Sequence, residues 1–147
     1  MSGRVRARVD IAAAPEDVFA FFDDLANASI LVPSLAEITK VEELTGGGRR
    51  VEYSTWGRGD TPHDASTEHL VYDPPTRTVT RSMQSGIETT ATREFLRHGG
   101  GTRVVATIEW EVPVRYVARL VSAPLRGPYR RALREALHGA RTALEPR

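Results

Sequence analysis

Residues 11–22 read Ile-Ala-Ala-Ala-Pro-Glu-Asp-Val-Phe-Ala-Phe-Phe, and the period of the chain changes inside this stretch. Ahead of it, Val5, Ala7, Val9 and Ile11 alternate with Arg4, Arg6, Arg8 and Asp10, the period of two of a half-buried strand. Pro15 then opens a helix, because its fixed φ suits a first turn and its missing N–H is not needed there. Glu16 and Asp17 sit at that helix's positive end, and Val18, Phe19, Phe21 and Phe22 make its buried side. A second short helix is expected from Asp23 to Ile30, stopped by Pro33.

Downstream, strand patterns follow one another over 38–44, 50–56, 63–73, 77–84, 87–97 and 102–112. Turn residues separate them: Gly46-Gly47-Gly48, the 57–62 stretch, Pro74-Pro75, Ser85-Gly86 and Gly99-Gly100-Gly101. Such spacing predicts an antiparallel meander. The end of the chain switches period again. Val117, Leu120, Val121, Leu125, Tyr129, Leu133, Leu137 and Leu144 recur at three and four, with arginines on other faces. That is a long amphipathic helix. Pro124 and Pro128 each remove a backbone donor, so a break or kink is expected there and the regular part over 128–144. A twisted sheet with one apolar face needs a cover, and the long helix supplies it.

The chain has 147 residues, enough for one domain over 1–147 with one substantial core. It has no cysteine, which excludes disulfides and thiolate metal or redox sites. No apolar run reaches signal-peptide or membrane-spanning length, so a cytoplasmic location is expected. Net charge is +1, but residues 1–112 carry −5 and residues 113–147 carry +6. The basic end reads as a solvated helix face, or as a peripheral contact with phosphate or an anionic membrane.

The order of elements resembles the helix-grip fold of the START-like, Bet v 1-like (SRPBCC) superfamily, and within it the polyketide cyclase/dehydrase and lipid-transport group. Ile11–Phe22, Tyr72–Val79 (Tyr-Asp-Pro-Pro-Thr-Arg-Thr-Val), Phe95, the run from Gly99 to Val104 and the arginine-rich end carry that resemblance, which covers essentially the whole chain. It implies an α+β fold: a seven-stranded, strongly curved antiparallel sheet around a long C-terminal helix, with two short helices between strands 1 and 2. It also implies a cavity between sheet and helix. A curved sheet and a straight helix do not meet flush, and small residues at the expected inward positions Ala7, Ala91, Ala106, Ala132 and Ala136 leave room.

Candidate ligand contacts follow from parity. On the last strand, Ile108 and Trp110 face inward with Val104 and Ala106. On the preceding one, Phe95 matches the family's inward aromatic, which turns Ala91 and Arg93 inward too. A guanidinium among apolar groups is costly unless paired, and it could take a ligand carboxylate, phosphate or carbonyl. Otherwise a bulge flips Arg93 outward, or it pairs with a protein carboxylate at the rim. On the 63–73 strand the family match puts His69 inward, whereas Leu70 and Tyr72, of opposite parity, are the more apolar pair. His69 is a candidate general base if it reaches the cavity, and otherwise a satisfied structural histidine. Tyr53 is favoured over Trp56 as the inward aromatic of its strand. Met83 is placed on the wall with Val79 and Arg81, and Tyr116, Leu120 and Leu125 at the cavity mouth.

No metal site is expected. His63 and His69 share a face but lie about 20 Å apart on an extended strand. No nucleotide fingerprint, phosphate loop or nucleophile elbow occurs, so no cofactor and no nucleic acid is expected. Three functions fit. The first is binding of a small hydrophobic or amphipathic ligand (lipid, isoprenoid or polyketide-like). The second is a polyketide aromatase/cyclase in which His69, Arg93 and Tyr53 supply base and oxyanion donors. The third is a protein-interaction or regulatory module. Monomer and homodimer both remain open.

Overall fold

The structure is a computed structural model that describes residues 2–57, 59–112 and 125–145. Strand β1 (Ser2–Ile11) leads through Ala12–Ala14 into helix α1 (Pro15–Asp23), with Pro15 in its first turn and Glu16 and Asp17 at its positive end. Asp24 then accepts from the Ala26 N–H at 2.9 Å and starts a short 3-10 turn (Leu25–Asn27) that runs into α2 (Ala28–Leu31). The expected second short helix is thus a turn and a single helical turn.

Six strands follow: β2 (Leu35–Glu43), β3 (Arg49–Thr55), β4 (His63–Asp73), β5 (Arg77–Gln84), β6 (Ile87–His98) and β7 (Gly101–Glu111). The last described element is α3 (Arg126–Leu144). The seven strands form one curved antiparallel sheet in the order β1-β7-β6-β5-β4-β3-β2, so β1 and β2 are its edges. This is the expected α+β helix-grip fold. The Ser85-Gly86 turn has φ of 51° and 78°, the left-handed pair that suits a two-residue hairpin, and it seats Gln84 opposite Ile87.

The core lies at the β1–β7–β6 side. Val5, Ile11, Val18, Val104 and Val112 are almost fully enclosed, and Phe19, Phe22 and Phe95 pack edge to face with centroids 5.1 and 5.5 Å apart. Helix α3 closes this side with Leu133, Ala136, Leu137 and Ala140, the spacing of one helical stripe. Ala132 is off that stripe and exposed, so it leaves no room inside as expected of it. Gly139 lets α2 approach, since a Cβ there would lie 2.9 Å from Ile30 Cγ2. The far end of α3 is tied down by Glu145, which accepts from the Ala12 N–H at 3.0 Å and from Arg141 at 2.8 Å. No helix among the described residues is long and apolar enough to cross a membrane.

Candidate functional site

Register decides which side chains share the concave face. One row runs His69–Thr80–Ala91–Ile108–Val5, and its neighbour runs Thr78–Arg93–Ala106–Ala7. A third runs Thr67–Ser82–Thr89–Trp110–Gly3. Val5 and Ala106 belong to the core, which fixes all three rows as inward.

The conflict on β4 is resolved by a bulge. His69 pairs with Thr80 but Val71 pairs with Val79, so Leu70 is an extra residue. His69 faces inward before the bulge and Tyr72 after it. Their rings meet edge to face at 5.0 Å, while Leu70 stays 49% exposed. Both of the competing parities therefore hold, each for its own half of the strand.

Met83 is a correction. The Gln84–Ile87 pairing puts Ser82 opposite Thr89 and Met83 opposite Glu88, on the convex face. Met83 is 45% exposed, and its face-mate Arg81 pairs with Glu68 and Glu88 on the outside. Tyr53 is half-buried and Trp56 exposed, in line with the parity favoured for that strand. Ala91 and Ile108 are half-buried in the inner row of His69, and Phe95 is enclosed by Phe19 and Phe22. Trp110 folds over Gly3, where a Cβ would lie 2.1 Å from its ring, and packs on Tyr129 of α3 with centroids 5.0 Å apart. Leu125 packs against the core just ahead of α3. Tyr116 and Leu120 lie outside the described residues.

Arg93 reaches across the concave face to α1, with its guanidinium 5.0 Å from the centre of the Phe22 ring. Among the described residues it forms no ion pair and no side-chain hydrogen bond. Burial pushes its pKa down to about 10, so it remains a cation at neutral pH.

His69 is held differently. The Arg49 backbone N–H donates to its Nδ1 at 3.0 Å. A neutral ring bonded this way keeps its own proton on Nε2. Burial, then the Arg49 guanidinium, lowers its pKa, and Arg93 adds to the shift, so the neutral form is favoured. Gly48 makes this approach feasible: its φ is +78°, and a Cβ there would lie 2.7 Å from His69 Cβ.

Beside His69 lies a cluster that parity alone did not reveal. Tyr72 donates its hydroxyl to Asp23 Oδ2 at 2.6 Å, which with burial raises the phenol to about 12. Arg49 pairs with the Asp23 carboxylate at 3.5 Å and also donates to the Asp23 carbonyl oxygen. The end of α1 is thereby fastened to β3 and β4. Asp23 had the reading of a helix start, Arg49 follows the glycine turn at the start of β3, and Tyr72 had the reading of an apolar residue; no spacing links the three. Further along, a hydroxyl ladder joins Tyr53 to Thr67 at 2.8 Å and Thr67 to Ser82 at 2.7 Å. No group of three or more His, Cys, Asp or Glu among the described residues could hold a metal ion. The face thus offers fixed donors: a guanidinium, an imidazole N–H and hydroxyls.

The family model for polyketide cyclase / dehydrase and lipid transport matches residues 2–145. No curated protein matches the chain. Among solved structures it is similar to the di-domain ARO/CYC StfQ from the steffimycin biosynthetic pathway, at 15% identity and a TM-score of 0.81, over 98% of this chain and 50% of that one. It is also similar to the di-domain ARO/CYC BexL from the BE-7585A biosynthetic pathway, at 19% identity and 0.76, over 99% and 51%. The chain spans about half the length of these two. A third, TTHA0849 from Thermus thermophilus, is 25% identical with a TM-score of 0.65 and is covered over its full length by 97% of this chain. With the curved sheet, the helical cover and a match over 2–145, the chain belongs to the polyketide cyclase/dehydrase and lipid-transport family.

Proposed function

We propose that the protein binds an elongated, mainly apolar molecule bearing carbonyl or carboxylate oxygens, a polyketide-like chain or a lipid acid, against the β3–β6 part of the concave face. The observation that carries this reading is Arg93: an inward cation over an aromatic ring, with no protein carboxylate to neutralise it among the described residues. A buried charge is retained at a cost, and a ligand oxygen is the partner that would offset it. The imidazole N–H of His69, two strands away, supplies a second donor of fixed tautomer.

The aromatase/cyclase reading has its own support in this pair. A cation and a neutral N–H donor are what an enolate oxygen needs as it forms. In that case His69 acts as a hydrogen-bond donor, and the general-base role assigned to it from the sequence passes to another group.

Native mass spectrometry of the protein from its own host identifies the occupant. A long-chain fatty acid and its methyl ester are then titrated against the wild type and Arg93→Leu. The acid should bind the variant about tenfold more weakly, as loss of one charged hydrogen bond predicts, with little change for the ester. Equal losses for both ligands would remove Arg93 as the anchor.

A further inference from the structure

Beyond the β3–β6 part of the concave face, at the opposite end of the sheet, a hollow of about 280 Å³ lies between the edge of β1 and α3. Arg6 and Arg8 come from β1, and Arg134 and His138 from α3. Its apolar part is Ala7 and Val9 with the buried Leu137. The tertiary fold brings these basic groups together from the two ends of the chain. None of the three arginines forms an ion pair among the described residues. Arg8 acts electrostatically on Asp10, but both oxygens of that carboxylate already accept from Arg103, at 2.8 and 3.1 Å.

Basic side chains on an edge strand also deter pairing with another sheet, and this accounts for Arg6 and Arg8. It does not account for Arg134 and His138 facing the same hollow from the helix. Three arginines that line one hollow, none of them in an ion pair among the described residues, suit an anion with several acceptor oxygens and more than one negative charge. A phosphate has both, and a single carboxylate does not.

We propose that the β1–α3 groove binds the phosphate group of a phosphate monoester, whose apolar portion rests on Ala7, Val9 and Leu137. The ester is either soluble or part of a lipid headgroup. This site is separate from the β3–β6 part of the concave face and does not depend on the function proposed for it.

Inorganic phosphate and then glycerol 3-phosphate are titrated while backbone amide shifts are followed by NMR. Saturable shifts confined to Arg6–Val9 and Arg134–His138 are expected. Arg8→Gln and Arg134→Gln, both at exposed positions, should each weaken binding about tenfold. Shifts that never saturate, or saturation unchanged in both variants, would overturn the site. Co-sedimentation with vesicles of phosphatidylcholine alone and of phosphatidylcholine with phosphatidic acid, whose headgroup is a phosphate monoester, separates the sources. Phosphate saturation together with phosphatidic acid binding that the double variant loses assigns the phosphate to a lipid. Phosphate saturation without vesicle binding assigns it to a soluble ester. Vesicle binding without phosphate saturation reduces the groove to general charge attraction and refutes the proposal.

Discussion

Along β7, Thr102, Val104, Ala106 and Trp110 reach into space already filled by α1 and α3, and each is nearly enclosed. Along β4 and β5, Thr67, His69 and Ser82 point to the same side of the same sheet but remain half exposed. The first region buries methyl groups and aromatic rings, whereas the second presents hydroxyls, an imidazole and, on β6, a guanidinium. The cause is the position of the cover: α3 packs over β1 and touches β7, near one edge of the sheet. Strands under the helix can satisfy the hydrophobic effect, and strands beyond it must satisfy their polar groups with one another. The enclosed core and the inward polar donors are therefore divided between two halves of one sheet.

The sharpest way to break that division is a pair of truncations. Phe95→Ala, in the enclosed half, should cost about 3–5 kcal/mol of stability, read as a fall in the denaturant midpoint. Tyr53→Phe, in the open half, removes only a hydroxyl bonded to Thr67 and should cost about 1 kcal/mol or less. Comparable losses at the two positions would mean that the open half is as much a core as the other.

An intermediate effect is expected at Gly48→Ala. The added Cβ requires φ near +78° and meets the His69 side chain, so about 1–3 kcal/mol should be lost. Nitrogen NMR of the His69 ring should show the Nε2–H tautomer fixed in the wild type and mixed in the variant. A fixed tautomer in both would detach Gly48 from the histidine's role.

The smallest effect concerns pH. Burial lowers the folded pKa of His69 below its ordinary 6.5, so the unfolded chain takes up the proton first as pH falls. This contribution is fully present above about 6.5 and is lost as pH drops from there toward the lower folded value. His69→Gln should flatten stability against pH in that window and leave it unaltered above. An unchanged slope would assign the acid sensitivity to another group.

Much of the fold was legible in the sequence because backbone periodicity is local. The alternation in β1 and β7, the proline start of α1 and the glycine turns each act within a few residues. The reading that put Met83 on the wall missed a local signal, since the two-residue Ser85-Gly86 turn ties Gln84 to the inward Ile87 and so turns Met83 out. The facing of Arg93 also followed from parity, counted back from Phe95.

The sequence by itself determined the order of strands and helices, the α+β class and the family resemblance, because propensity, turn chemistry and hydrophobic period need no partner beyond a few residues. Only the tertiary structure decided the bulge at Leu70, which lets His69 and Tyr72 face the same side, and the meeting of Asp23, Arg49 and Tyr72. Only the fold, too, set Arg6 and Arg8 beside Arg134. Each of these depends on which strands pair, in what register, and which edge the last helix covers. Those are long-range choices, made by the balance of burial and polar satisfaction over the whole sheet.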